Sequence, residues 1–344
     1  MTGRWIRILL VLALLAASIP SLVAAATTES IISVGTEDSD QWYPVISGDR
    51  ITWLDTRGGT GEIYLYDILT GIEQRVSAAG AMCESPDLSG DHMVWRVWND
   101  SYGGYDLDIY DLSTGDHTVI ASGGVDHGNP AIDGTRVVWD DMRAGNADIY
   151  LYDLSTGLET RITSDSDYES NPAISGDRMV WQDCDRDDCD LYLYDLASGK
   201  KAKRIGSKPE YQHSPVISGS IVAWQNGKSG SSDISFLNID TNKAGTITSG
   251  GSAPSPPAIF GDQIVWEDIR NGNADIYLYN TTTREEIPLT GDPNEQVSPS
   301  IDGDRIVWTD YRNGMADIYL ATMRTSLSVP EAGFSADPTI GGSP

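Results

Sequence analysis

The chain has 344 residues and a formal net charge of -28, from 51 acidic and 23 basic residues, and only six of the basic ones are lysine. A surface of that sign excludes nucleic acid and anionic membranes as partners, because binding phosphate requires a basic surface. Cations, cationic proteins and neutral glycans remain open to it.

Residues 1–26 read as a signal peptide. Arg4 and Arg7 form the charged start, residues 8–17 are an apolar stretch too short to span a bilayer, and Ala24, Ala25 and Ala26 supply the cleavage pattern. No cysteine lies near the cleavage site, and no later stretch is apolar enough to cross a membrane. A secreted or cell-surface protein is expected, with no transmembrane segment after the leader.

The remainder is built on a repeat. Seven tryptophans (Trp53, Trp95, Trp139, Trp181, Trp224, Trp266 and Trp308) recur at spacings of 42, 44, 42, 43, 42 and 42. A proline stands nine residues before each, from Pro44 to Pro299, and a glycine four residues after each proline, from Gly48 to Gly303. Each unit reads as four short strands. The segment 172–174 leads into a Ser-Gly-Asp-Arg turn whose glycine supplies positive φ. Residues 179–181 form the second strand. A polar loop precedes an alternating third strand such as 148–153, and a Ser-Thr-Gly turn leads to a fourth at 161–163. Four strands per 40-odd residues is the blade period of a propeller. The predicted fold class is all-β: a seven-bladed β-propeller with four-stranded antiparallel blades over residues 27–323, a single monomeric domain. The tryptophans are expected to fill the layers between blades.

The ends predict how the ring closes. Aliphatic residues ten before each proline (Val34, Val76, Ile120, Ile162, Ile205, Ile247 and Leu289) mark seven fourth strands. The first, over about 30–34, precedes the first unit, and the last unit lacks its own. The N-terminal strand is therefore expected to complete the last blade (3+1), which removes an open sheet edge.

The unit Pro-x-Ile-Ser-Gly-Asp-Arg-x-Val-Trp, followed by Asp-x-Arg-x-Gly-x-x-Asp-Ile-Tyr-Leu-Tyr-Asp-Leu-Ser-Thr-Gly, resembles the repeats of TolB-like β-propellers, in the version found in archaeal and bacterial cell-surface proteins. The likeness covers about 30–323. It implies the fold and leaves function open, since propellers host binders, lyases and peptidase gates. TolB itself carries an α/β domain before its propeller, whereas here the repeats follow the leader almost directly, which argues against a Tol-Pal role. Residues 324–344 form a tail in which 329–339 is similar to the opening strand of a polycystic-kidney-disease (PKD) domain.

Three cysteines remain. Cys184 and Cys189 flank a hairpin loop and are expected to form a disulfide in an exported chain. Cys83 is left over, either free or used between chains. In the loop between them, Asp183, Asp185 and Asp187 alternate as in a calcium loop, so calcium is the one cofactor considered; no other is expected. The second-to-third loops repeat Asp55/Arg57, Asp141/Arg143, Asp268/Arg270 and Asp310/Arg312, each followed by Glu62, Asp148, Asp275 or Asp317. Two carboxylates flanking an arginine predict a charge-assisted cluster.

The longer, variable loops all fall on one face of the disc, where binding residues on a rigid scaffold concentrate. That face is predicted to present Trp42, Tyr43, His127, Glu169, Gln212, His213 and Gln296, with Gln41 beside them. Trp42 lies outside the tryptophan repeat and is the leading candidate for an exposed stacking residue. Nucleophile-elbow and His-Glu-x-x-His motifs are absent. These features predict a non-enzymatic binding or scaffold module for an unidentified protein or glycan. Two alternatives stand beside it. One is a metal-assisted polysaccharide lyase or hydrolase using His127, Gln212, His213 and Gln296, as the resemblance implies for some members. The other is a structural spacer in a cell-surface array.

Overall fold

A computed structural model describes residues 27–31, 39–124, 126–185, 188–200, 202–206, 211–227, 232–247 and 254–323. The leader at 1–26, the tail at 324–344, Val34 and Asp187 lie outside the described residues. Seven four-stranded antiparallel sheets form the blades, and there is no helix among the described residues. In chain order the blades span 41–75, 83–121, 127–161, 168–205, 212–247, 258–288 and 296–323. The N-terminal strand Thr27–Ile31 pairs antiparallel with Asp317–Met323 as the outermost strand of blade 7, so the ring closes three-plus-one. It starts three residues earlier than the sequence spacing suggests.

The tryptophans explain how blades stack. Each buries its ring against the aliphatic face of the blade before it. Trp95 packs on Leu54, Ile63 and Leu65 of blade 1, Trp181 on Val138 and Ile149 of blade 3, and Trp53 on Val307, Ile318 and Leu320 of blade 7. In five blades the tryptophan also faces a tyrosine across the second and third strands, with ring centroids 5.8–6.3 Å apart. The strand alternation seen in sequence therefore separates two buried faces, since Ile149 and Tyr150 are both buried.

The narrow face is a ring of turns. All seven turn glycines take positive φ, between 56 and 63°. Their amides reach back to the preceding blade: Gly90 donates to Ser47 Oγ, Gly134 to Ser89 Oγ and Gly219 to Ser175 Oγ at 2.9–3.1 Å. Blade 6 places Phe260 at the serine position, so no such acceptor is available to Gly303.

The wide face is set by a bulge. In six blades the residue before the repeat proline has positive φ (Tyr43, Ser85, Asn129, Asn171, Ser214 and Ser298, 28–54°), and the first-to-second strand register shifts there. A bulge inserts an unpaired residue and bends the strand. Blade 6 has Pro256 at this position, whose ring fixes a negative φ, and its first strand is only Ala258–Phe260.

Candidate functional site

The second strand of each blade ends in a polar corner beneath the wide face. In blades 1, 3, 6 and 7 the aspartate two residues after the tryptophan is fully buried and accepts the indole N–H: Trp53 to Asp55, Trp139 to Asp141, Trp266 to Asp268 and Trp308 to Asp310, at 2.9–3.2 Å. The arginine two residues further on bonds the same carboxylate at 2.5–2.6 Å. It also lies over the blade's tyrosine, 4.2–4.5 Å from the ring centroid. Burial alone would raise Asp141, but hydrogen bonds from His127, Arg143 and Trp139 hold it well below the usual carboxylate range.

The arginine cluster was foreseen with the wrong second carboxylate. Arg57, Arg143 and Arg270 pair with Glu73, Glu159 and Glu286 of the fourth strands. Glu62 instead accepts the Gly80 amide, Asp148 pairs with Arg161, and Asp275 and Asp317 accept from Asn271 and Asn313. The fourth strand is the next neighbour of the tyrosine strand, so its glutamate lies alongside the stacked guanidinium.

The bulge also corrects the expected display of the first strand. Gln41, His127, Glu169, Gln212 and Gln296 stand three residues before their prolines and are all at most 1 % exposed. They turn inward to the polar corners: Gln41 Nε2 donates to Asp55 at 3.0 Å, and His127 Nδ1 donates to Asp141 at 2.8 Å. His213, half-buried, packs at a tilt against Tyr211 with its pKa lowered by burial. The proposed lyase set therefore sits in blades 3, 5 and 7, with three of its four residues under the surface. Of the seven residues predicted on the open face, Trp42, Tyr43 and His213 are the ones that reach it.

Trp42 and Tyr43 open onto a groove of about 950 Å³ that runs over blades 7, 1 and 2. Tyr43 is 57 % exposed, and Met82 and Tyr311 line the same groove. Burial, with Asp40 and Glu295 nearby, raises the Tyr311 pKa against the opposing effect of the neighbouring Trp42 side chain. On the far side, Glu84 bonds Arg96 and accepts the Tyr105 hydroxyl at 2.7 Å.

The groove lies where an interblade clamp is missing. In blades 3, 4 and 6 the residue after the tryptophan accepts the amide of the next blade's bulge residue: Asp140 from Asn171, Gln182 from Ser214 and Glu267 from Ser298, at 3.0–3.4 Å. Burial raises Asp140 to about 6. Blades 1 and 2 carry Leu54 and Arg96 at that position, which have no acceptor oxygen to offer.

Cys184 and Cys189 form the expected disulfide as a cross-strand pair, with Cα atoms 4.1 Å apart. Cys83 is a buried free thiol pushed up to about 12 by burial, so it does not meet another chain in this conformation. Of the expected calcium loop, Asp185 is exposed at the hairpin tip, and Asp183 turns toward Glu169, its register partner across the first two strands of blade 4. Asp183 and Asp185 stand two residues apart on the same strand, and Asp187 of the expected loop lies outside the described residues.

No family model and no curated protein matches this chain. Solved structures do. TolB from Acinetobacter baumannii is 21% identical, covering 74% of this chain and 67% of that one, at a TM-score of 0.53. An oligogalacturonate lyase from Vibrio parahaemolyticus is 15% identical over 88% of this chain and 98% of its own, at 0.66. The β-propeller domain of the Trilobed protease from Pyrococcus furiosus is 10% identical over 86% and 98%, at 0.65; that domain has an open velcro topology, whereas the present ring is latched by its N-terminal strand. These likenesses establish the TolB-like propeller fold and extend no further, because the same fold carries TolB, a lyase and a protease domain.

Proposed function

We propose that this protein is an exported, non-enzymatic binding module whose groove over blades 7, 1 and 2 takes a neutral glycan. The observation that carries this reading is the aromatic floor: Trp42, Tyr43 and Tyr311 share one open groove, while the bulge positions of the other blades are serine, asparagine or proline. Flat aromatic rings stack on the apolar faces of sugars, and the carboxylates of Asp40, Glu84 and Glu295 offer acceptors for hydroxyls. A net charge of -28 opposes a polyanionic ligand, which separates this reading from the acidic substrate in the lyase's name. The exported location rests on the leader at 1–26; no helix among the described residues is long and apolar enough to cross a membrane.

A glycan array probed with the purified chain identifies the ligand, and titration of that ligand against Trp42→Ala tests the site. At least a tenfold loss of affinity is expected, about 1.4 kcal/mol or more, with the melting temperature of the variant close to wild type. Unchanged affinity in Trp42→Ala and Tyr43→Ser would place the ligand elsewhere. An array without any hit, alongside capture of a cationic protein, would assign the groove to protein contact.

A further inference from the structure

The corner of blade 4 departs from its siblings in a way that calls for a positive charge. Glu169 occupies the position held by Gln41, His127 and Gln296, and Asp185 stands where Arg57, Arg143, Arg270 and Arg312 stand. A donor and a cation have both been replaced by acids. The second and third strands run on as a hairpin through Asp185 and Asp188, whereas the second strands of blades 1, 3, 6 and 7 end at their aspartates; the loop entering the blade is the part that is unchanged. The loop entering blade 7 is an internal control: Asn273 Nδ2 donates to the carbonyls of Asp292 and Asn294 there, as Asn146 Nδ2 does to those of Asp165 and Asp167 here, at 2.7–3.0 Å.

We propose that Asp165, Glu169 and Asp183 bind one hard divalent cation, calcium by preference, at the junction of blades 3 and 4. One carboxylate oxygen from each lies within 4.8 Å of the others. Calcium bonds oxygen at roughly 2.3–2.6 Å, so ligands on opposite sides of it stand about 5 Å apart. Glu169 is 1 % exposed; its Oε2 accepts from Thr163 Oγ1 at 3.2 Å, while its Oε1 is buried without a hydrogen-bond partner. A buried carboxylate oxygen left in that state is costly unless a cation or a proton serves it. The charged groups bearing on Asp183 are Asp165, Asp167, Asp190 and Asp185, all acidic, and Arg204 is committed to Asp190. Burial and the neighbouring acids push Glu169 up to about 9 and Asp183 to about 6. The mixed exposure of the three ligands leaves coordination positions open to water, as the flexible shell of calcium permits.

The test uses the full chain stripped with EDTA. Calcium chloride should raise its melting temperature saturably, with a midpoint of roughly 0.1–1 mM, the range of extracellular calcium modules. Sodium chloride at matched ionic strength should not. Glu169→Gln, which restores the amide found in blades 1 and 7, should lose that rise while melting in EDTA at or above wild type. Terbium supplies a second readout, because Trp181 and Tyr192 line the same cavity of about 410 Å³. Sensitised terbium emission should appear in wild type, be competed by calcium, and fall at least tenfold in Glu169→Gln. Trp42→Ala should leave both signals unchanged, which keeps this site distinct from the glycan groove. No saturable response in wild type, or an equal one in Glu169→Gln, overturns the proposal and assigns the corner to bound protons.

Discussion

The corners of blades 4 and 7 share a loop, a tryptophan–tyrosine stack and an aspartate two residues after the tryptophan, yet they handle charge in opposite ways. In blade 7, Asp310 is fully buried and satisfied by Trp308 and Arg312, with the amide side chain of Gln296 alongside in the strand register. In blade 4, Asp183 faces Glu169 and Asp165, and the indole of Trp181 is left without a partner. Two substitutions, glutamine to glutamate and arginine to aspartate, make the second corner more negative by three charges relative to the first. A repeat protein stacks copies that must satisfy the same packing. Blades 2, 4 and 5 all lack the shared network and leave their indoles without a partner, but blade 4 alone puts acids in the places of the amide and the arginine while keeping the packing, and that difference marks a site where the charge is balanced from outside the chain.

The largest effect tests the frame that holds both corners. Deleting residues 27–31 removes the outermost strand of blade 7 and opens a sheet edge. A fall of about 10 °C in melting temperature is expected by calorimetry, and an unchanged value would show that the ring is closed by other means. Next comes the comparison itself. Asp310→Ala strands the Trp308 indole and the Arg312 guanidinium and should cost about 3 kcal/mol in urea unfolding. Asp183→Ala, measured in EDTA, should cost less than about 0.5 kcal/mol or stabilise, because it relieves acid–acid repulsion. Equal losses would erase the distinction between the corners.

A third prediction sets adjacent residues against each other. Asp141 has cationic partners, whereas Asp140 accepts only amide N–H groups and is raised to about 6 by burial. A carboxyl raised in the folded state contributes its stability fully below the unfolded value near 4 and loses it as pH climbs through about 6. Asp140→Asn should therefore match wild type near pH 4 and exceed it by about 2 kcal/mol near pH 7.5. A constant difference across that window counts against the assignment. The smallest effect concerns the hairpin that carries Asp183. Reducing the Cys184–Cys189 bridge should cost about 1–2 kcal/mol, since it closes only a short loop. Cys83 should resist thiol reagents until the chain unfolds; rapid labelling in native buffer would contradict its burial.

Blade number and closure were legible because both are set by residues that repeat in register. Trp, Pro and Gly hold positions the stack needs seven times, and an orphaned fourth strand at one end must pair with the blade that lacks one. The strand ends were less legible. The bulge before the repeat proline in six of the blades is a backbone event with no single residue type behind it: Tyr43, Ser85 and Asn129 all adopt it. It turns Gln41, His127 and Gln296 from the open face into the corners, so residues that look like a rim serve as internal hydrogen-bond donors. Trp42 stood out by breaking the tryptophan period. Its groove partners Met82 and Tyr311 come from other blades and carry no periodic mark. Asp165 was missed for a similar reason. Its one trace in sequence is the equivalent place of Asp292, seven residues before a repeat proline.

Isothermal titration of calcium into the EDTA-stripped chain and into the double variant Glu169→Gln/Asp185→Arg tests the contrast between the two corners most directly. The variant rewrites the blade 4 corner in the residues of blade 7. One calcium per wild-type chain and none per variant is the expected result. Calcium bound equally by both, or by neither, would contradict it.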